Sequence, residues 1–181
     1  MLAIMPILQQ LAHYDQRIFF WCADFCHSKN LPTYSKIISH SGDGYLQVFI
    51  PLLIFSIVGS EALPFLHLVI IAFSLERALY WVLKNNFKRK RPEAALPYFK
   101  ANITASDEFS FPSGHTSAAF LLAILVSGYF PILATIMFIW ASLVSASRII
   151  LGVHFPADII AGICLGCISA YLCQWIMLSY G

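Results

Sequence analysis

Past residue 43 the chain is a succession of long apolar runs separated by short polar turns. A helix needs about 20 apolar residues to cross the core of a bilayer. Five runs approach that length: 44–60, 64–84, 115–130, 131–151 and 156–178. The first, GYLQVFIPLLIFSIVGS, is slightly short. Residues 1–40 differ, because His13, Asp15, Arg17, Asp24, His27, Lys29 and Lys36 interrupt their apolar stretches. That pattern predicts an amphipathic segment lying in the interface, with a poor sixth span inside 4–28 as the alternative. The expected fold is all-α: an integral-membrane bundle of five to six transmembrane helices with an N-terminal interfacial segment. Residues 1–181 read as a single domain, 1–40 interfacial and 41–178 forming the bundle. No internal repeat or low-complexity linker divides it, and the only long connection is 92–112.

Threading the five runs back and forth assigns their ends to two faces. The turns near Gly59–Glu61 and Phe130–Pro131 share one face with the C-terminus. The start of the first run, the 92–112 connection and the turn before residue 156 share the other. Of eleven Lys and Arg, only Arg77 lies deep inside a run, away from its ends. The other ten (Arg17, Lys29, Lys36, Lys84, Lys88, Arg89, Lys90, Arg91, Lys100 and Arg148) fall on that second face or at its helix ends.

Composition supports the membrane reading. The chain is 59% hydrophobic and 11% charged, where soluble domains carry about a quarter charged residues. Mean hydropathy is +0.75. The net charge of +2 gives no reason to expect nucleic acid as a partner. The N-terminus lacks a basic start and a small-x-small cleavage site, so it does not read as a removable signal peptide. Five cysteines are present: Cys22, Cys26, Cys164, Cys167 and Cys173. The C-x-x-C at 164–167 has no second ligand pair, and these thiols read as small apolar packing residues.

Three polar clusters fall on the charged face. KNNFKRKRP, 84–92, ends the second run. Lys84 and Arg91 are seven apart and share a helix face if the helix persists, although Pro92 should unwind it at Arg91. Read alone, the cluster is a basic headgroup anchor. PSGH, 112–115, opens the third run. A helix start offers free N–H groups and a positive dipole end to an anion. Ser113 can cap it and offer a hydroxyl, Gly114 lets a backbone approach closely, and His115 projects from the first turn. SRIILGVHFPAD, 147–158, joins the last two runs. Arg148 is an ionisable residue at the end of an apolar span. His154 and Asp158 are four apart, a spacing that lets a carboxylate orient one ring nitrogen and leave the other exposed. Pro156 suits the first position of the last helix. Together the clusters supply Lys, two Arg, Ser, helix N–H groups, two His and an Asp. That inventory suits a tetrahedral oxyanion: fixed cations neutralise phosphate, one histidine attacks phosphorus and another protonates the leaving alkoxide. No carboxylate cluster suited to Mg²⁺ lies beside them, so no metal and no cofactor is expected.

The pattern K-x6-R-P, then P-S-G-H, then S-R-x5-H-x3-D resembles the three-part signature of the type 2 phosphatidic acid phosphatases. Their superfamily also holds vanadium haloperoxidases and glucose-6-phosphatase. Here it reads Lys84…Arg91-Pro92, Pro112-Ser113-Gly114-His115 and Ser147-Arg148…His154…Asp158, with no position departing from it. The resemblance implies that Lys84, Arg91, Ser113, Gly114 and Arg148 bind phosphate. It implies that His154 is the nucleophile and forms a phosphohistidine, that Asp158 orients it, and that His115 is the general acid. Water then discharges the intermediate.

The activity implied by the resemblance is that of a metal-independent hydrolase of a phosphate or diphosphate monoester on a membrane lipid, with undecaprenyl diphosphate favoured by family association and small size. Phosphatidylglycerophosphate, phosphatidic acid and lipid A phosphates are alternatives, as is a lipid phosphotransferase. A vanadate-dependent oxidase or a phosphate-binding membrane module are readings of other classes. The expected partners are a membrane lipid phosphate and the bilayer; oligomeric state is not legible. The expected location is the plasma (inner) membrane, with the site on its outer or periplasmic face. Four further readings concern residues outside the motifs. Asp43 reads as a turn or cap residue, with a contact to the site as the alternative, and Glu76–Arg77 as an interhelical polar contact, with a substrate role as the alternative. Asp107 and Glu108 read as a solvated loop or lid, and the aromatics, Tyr80 among them, as belt and core.

Overall fold

The computed structural model describes residues 4–25 and 30–180. All its regular elements are helical: α1 (Ile4–Phe25), α2 (Leu31–Ser41), α3 (Tyr45–Val58), α4 (Leu63–Phe87), α5 (Pro92–Ala95), α6 (Gly114–Tyr129), α7 (Ala134–Ile150) and α8 (Pro156–Tyr180). The five apolar runs thus become α3, α4, α6, α7 and α8 to within about three residues at each end. Among the described residues three stretches are long and apolar enough to cross a membrane: Tyr45–Phe87, Pro131–Ile150 and Pro156–Ser179. The first is not one rod. A 3-10 turn at Gly59–Ala62 divides it into α3 and α4, and Gly59 sits at φ 76°, the left-handed region that favours glycine.

α6 is the centre of the bundle. From Thr116 to Val126 only Phe120 escapes full burial, and α4, α7 and α8 pack around it. A helix apolar on every side belongs in such a position. In lipid, helix association depends on close packing, and small residues permit it. Gly162 and Gly166 show how close: a Cβ on Gly162 would lie 2.6 Å from the Ser113 carbonyl oxygen, and one on Gly166 2.3 Å from that of Ser117. This contact brings the start of α8, with Asp158, against the start of α6, with Ser113 to His115. The outer faces of α3, α4, α7 and α8 expose Phe49, Ile71, Ile136, Ile139, Ile160 and Ile168.

The N-terminal region adds to the sequence reading. Its described part forms two helices and joins the bundle. α1 packs on α7 and α8, and α2 packs on α7. Phe19 is fully buried, edge-on to Phe99 and Phe155 at 5.0 and 5.3 Å. Charged residues that look interfacial in the sequence instead include a buried Asp15. Cys26, His27 and Lys29 lie outside the described residues. Cys22, Cys164, Cys167 and Cys173 are free thiols.

Candidate active site

Arg91 reaches the site by a loop: the helix does not persist to a face shared with Lys84, and the unwinding expected before Pro92 is found. α4 stops at Phe87, Lys88 takes a left-handed conformation, and Arg91 is extended (φ −69°, ψ 160°) ahead of Pro92, as the residue before a proline should be. The buried Arg91 donates from Nη1 to the Val153 carbonyl at 2.6 Å and lies 3.3 Å from His154 Nε2. It also holds Asp107, through Nε to the carbonyl at 2.9 Å and through Nη2 to the carboxylate. The loop thereby ties the first cluster to the third.

Lys84, at the end of α4, donates to the same carboxylate at 2.6 Å and to the Tyr80 hydroxyl. Tyr80 in turn donates to Asp107 at 2.9 Å. Tyr80 is therefore part of the site and not a belt aromatic, and Asp107 is not merely solvated: its carboxylate links Lys84 and Arg91. Burial pushes the Asp107 carboxyl up, but the Lys84 hydrogen bond and the two cationic charges outweigh it and hold it at about 2. It is ionised throughout the neutral range. Glu108 remains exposed.

Ser113 occupies the N-cap position of α6 but makes no side-chain capping bond, which corrects the capping expectation. Its buried hydroxyl accepts from Thr116 Oγ1 at 3.0 Å, and its N–H donates to the Asp158 carbonyl at 3.0 Å. Gly114 leaves room for a close approach: a Cβ there would sit 3.0 Å from the Tyr80 ring. His115 Nε2 lies 2.6 Å from Asp43 Oδ1, while Asp43 Oδ2 lies 2.5 Å from His40 Nδ1. Gly44, not Asp43, holds the N-cap position of α3. Asp43 touches the site, as its alternative reading expected. Burial raises its carboxyl pKa, and hydrogen bonds to His115 and His40 more than reverse that.

His154 and Asp158 are both buried, with Nδ1 and Oδ2 3.6 Å apart. That is longer than a hydrogen bond, and Nδ1 has no hydrogen-bond partner. Asp158 Oδ2 accepts the Phe155 N–H at 2.8 Å. Burial, then the charges of Arg91 and Arg148, press the His154 pKa down to about 4 against the pull of Asp158. At neutral pH the ring is uncharged and Nε2 carries a lone pair. Arg148, buried at the end of α7, donates to Ser39 Oγ of α2 at 2.5 Å and is within electrostatic reach of both His115 and His154.

All eight expected residues thus meet at one end of the bundle. Four partners were not legible as such: Tyr80, Ser39, Asp15 and Arg89. Arg89 bonds Asp158 at 2.8 Å and Asp15 at 2.5 Å, yet in sequence it is one of several adjacent basic residues. The Glu76–Arg77 reading holds. Both Arg77 contacts to Glu76 are 2.5 Å, and Glu76 accepts from Ser117 of α6 at 2.5 Å. Among the described residues no three His, Cys, Asp or Glu side chains converge as a metal site.

A cavity of about 880 Å³ leads away from the site. His115, Asp43, Tyr80 and Asp107 stand at its polar end. Val48, Pro51 and Leu52 of α3 and Leu66, Val69, Ile70 and Phe73 of α4 line the remainder.

This arrangement has relatives. The crystal structure of LpxE from Aquifex aeolicus superposes with a TM-score of 0.69 at 31% identity, covering 91% of this chain and 94% of that one. The bacitracin transport permease protein BcrC of Bacillus licheniformis is 32% identical over 106 residues, 59% of this chain and 52% of its own. Phosphatidylglycerophosphatase B of Bacillus subtilis is 33% identical over 116 residues, 58% of this chain and 54% of its own. The chain spans about half the length of these curated relatives. The PAP2 superfamily model matches residues 62–180, which hold all three motifs and helices α4 to α8; by that match, the chain belongs to the PAP2 superfamily.

Proposed function

We propose that this protein hydrolyses the phosphate or diphosphate monoester of a membrane lipid through a phosphohistidine. One observation carries the reading: the cavity lined by α3 and α4 has an apolar part, Val48 to Leu52 and Leu66 to Phe73, and a polar part where Gln47, Arg77, His115 and the residue that bonds Lys84 and Arg91 gather. A hydrocarbon tail fits the first part and a phosphate the second. α3, α4, α6, α7 and α8 serve as the five spans, which sets the site at headgroup depth. α1 and α2 flank the bundle on the site side.

The chemistry follows from the placement of each group. Phosphate enters among Lys84, Arg91, Arg148 and the α6 N-terminus, displacing the Asp107 carboxylate. Arg91 turns to the phosphate and frees the Nε2 lone pair of His154. Nε2 attacks phosphorus, the bond from phosphorus to the leaving oxygen breaks, and a proton from His115 goes to that oxygen. Asp158 faces Nδ1 and offsets the positive charge formed on the ring. Water then attacks phosphorus and yields a proton to His115; the P–N bond breaks, and phosphate leaves. Every positive charge needed is a side chain, so turnover is expected to persist in excess EDTA. Loss of activity in chelator, restored by Mg²⁺, would overturn the mechanism.

Asp107 occupies the phosphate position as a carboxylate. With its pKa near 2 it is not released by protonation near neutrality and must be displaced. Asp107→Asn is therefore expected to lower KM, roughly three- to tenfold on the scale of partly exposed ion pairs, with kcat little changed. A raised KM would mean that Asp107 organises the cations instead of competing for them.

Undecaprenyl diphosphate is the substrate we favour, on family likeness and small size. Phosphatidylglycerophosphate is the runner-up, in keeping with the name of the Bacillus subtilis relative. We place the site on the outer face of the plasma membrane. Lys84, Arg89, Arg91 and Arg148 are engaged in the site, so their charge is a weak guide to the cytoplasmic side. Phosphate release from each lipid by the purified protein, and from a membrane-impermeant ester by intact cells, tests substrate and sidedness together.

A further inference from the structure

Behind the His154–Asp158 pair lies a buried row of charges that the three motifs do not contain. Arg89 Nη1 donates to Asp158 Oδ1 at 2.8 Å and Nη2 to Asp15 Oδ2 at 2.5 Å. Asp15 Oδ1 accepts the Ala157 N–H, in the first turn of α8, at 2.9 Å. The Arg89 guanidinium lies over the Phe155 ring at 4.4 Å, and its carbonyl accepts the Ser110 N–H at 2.8 Å. Asp158 and Asp15 are both buried, and Arg89 is largely so. A surface anchor for headgroups would have no such grip on two carboxylates. The arrangement also gives α1 a reason to dock here: Phe19 packs on Phe155 and sets Asp15 against the start of α8.

The chemistry of a phosphohistidine gives this row a role. Attack by Nε2 leaves the ring positively charged, and Asp158 is the carboxylate that stabilises it. An unshielded carboxylate in a dry site would stabilise that ring strongly and slow its discharge by water. Arg89 binds one oxygen of Asp158 and draws on its charge, while the Phe155 N–H fixes the other oxygen toward His154. Asp15 in turn limits how much of the Arg89 charge Asp158 feels.

Resting on the phosphohistidine reading above, we propose that Arg89, gripped by Asp15, is a positioning residue for the His154–Asp158 pair: it fixes the Asp158 carboxylate and offsets part of its charge, so that the phosphorylated ring is readily discharged. Asp15 of α1 is the second member of the device. The charged groups facing His154 are Asp158 from α8, Arg91 from the loop after α4 and Arg148 from α7, with Asp107 behind Arg91. Arg89 and Asp15 act only through Asp158.

The two charges of the device have opposite signs, so their variants should differ in direction. Arg89→Gln leaves Asp158 unshielded and favours the protonated ring. The acid limb of kcat/KM should move up by about one pH unit, and phosphohistidine should accumulate. Asp15→Asn leaves Arg89 uncompensated, and the limb should move down by a smaller amount. Arg89→Lys keeps the charge and loses the fork, so the limb should stay near the wild-type position while kcat falls. The measurement uses the full chain in one detergent with ³²P-labelled dioctanoyl phosphatidic acid, from pH 3 to 8, with an alkaline quench to trap labelled histidine. Size exclusion and melting temperature report on folding.

Opposite shifts, with label accumulating in Arg89→Gln, support the proposal. Equal shifts, or none, in folded variants that form label would reduce the row to a structural ion pair and overturn it. If Arg89→Gln does not remain monodisperse, the isosteric Asp15→Asn decides alone, and an unmoved limb overturns the proposal. Absence of labelled histidine in the wild-type protein while it turns over would overturn the phosphohistidine reading itself, and this inference with it.

Discussion

His154→Ala is expected to lower kcat by about four orders of magnitude or more, the scale of losing a covalent nucleophile. The reason is geometric. His154 Nε2 lies beside Arg91, a cation we propose binds phosphate, while Nδ1 faces Asp158. No other described side chain combines a neutral lone pair, contact with that cation and a carboxylate behind it. His115, the other histidine of the site, is tied to Asp43 and stands at the opening of the cavity. Removing the His154 ring leaves Lys84, Arg91 and Arg148 in place, so the variant should still bind inorganic phosphate or vanadate. The measurement is single-turnover phosphate release beside vanadate binding by the folded variant. A rate within tenfold of wild type would end the role given to His154. Retained binding with no turnover in the wild-type protein would favour a phosphate-binding module.

How much of this was legible in the sequence divides by distance along the chain. The helices were, because an apolar run of bilayer length has few other uses. The motif residues were, since His154 and Asp158 are four apart and Ser113 to His115 are contiguous, so local spacing carries their geometry. For Arg91 the unwinding before Pro92 was legible, but its place in the site was not: that depends on the loop from Lys88 and on a bond to Val153 that no spacing encodes. Asp107 was set aside because a carboxylate repels phosphate. In the fold the same charge bridges two cations, Lys84 and Arg91. The N-terminal helices were read as peripheral since their polar residues look interfacial. Asp15 and Ser39 reach Arg89 and Arg148 across the fold, more than 70 positions away in the chain, and a lone sequence has no signal at that range. Asp43 lay between: its turn was visible, but its link to His115 required the packing of α3 against α6.

The two histidines can be separated by the leaving group. A lipid alkoxide departs poorly without a proton, whereas p-nitrophenolate departs readily with none. If His115 supplies that proton, His115→Ala should lose about 10²–10⁴-fold in kcat/KM on a lipid phosphate, the usual worth of general acid help. On p-nitrophenyl phosphate it should lose far less. His154→Ala should lose both alike, because attack on phosphorus precedes departure. His115 is placed to supply the proton, since it begins α6, lines the polar end of the cavity and is oriented by Asp43. Asp43→Asn should follow His115→Ala in pattern and fall short of it in size, since it weakens the orientation of the ring without removing it. All four combinations of the two single histidine variants and the two esters belong in one detergent, so that headgroup access is held constant. Equal losses for His115→Ala on the two esters would make it a phosphate ligand, and the proton would then have to reach the leaving oxygen from water.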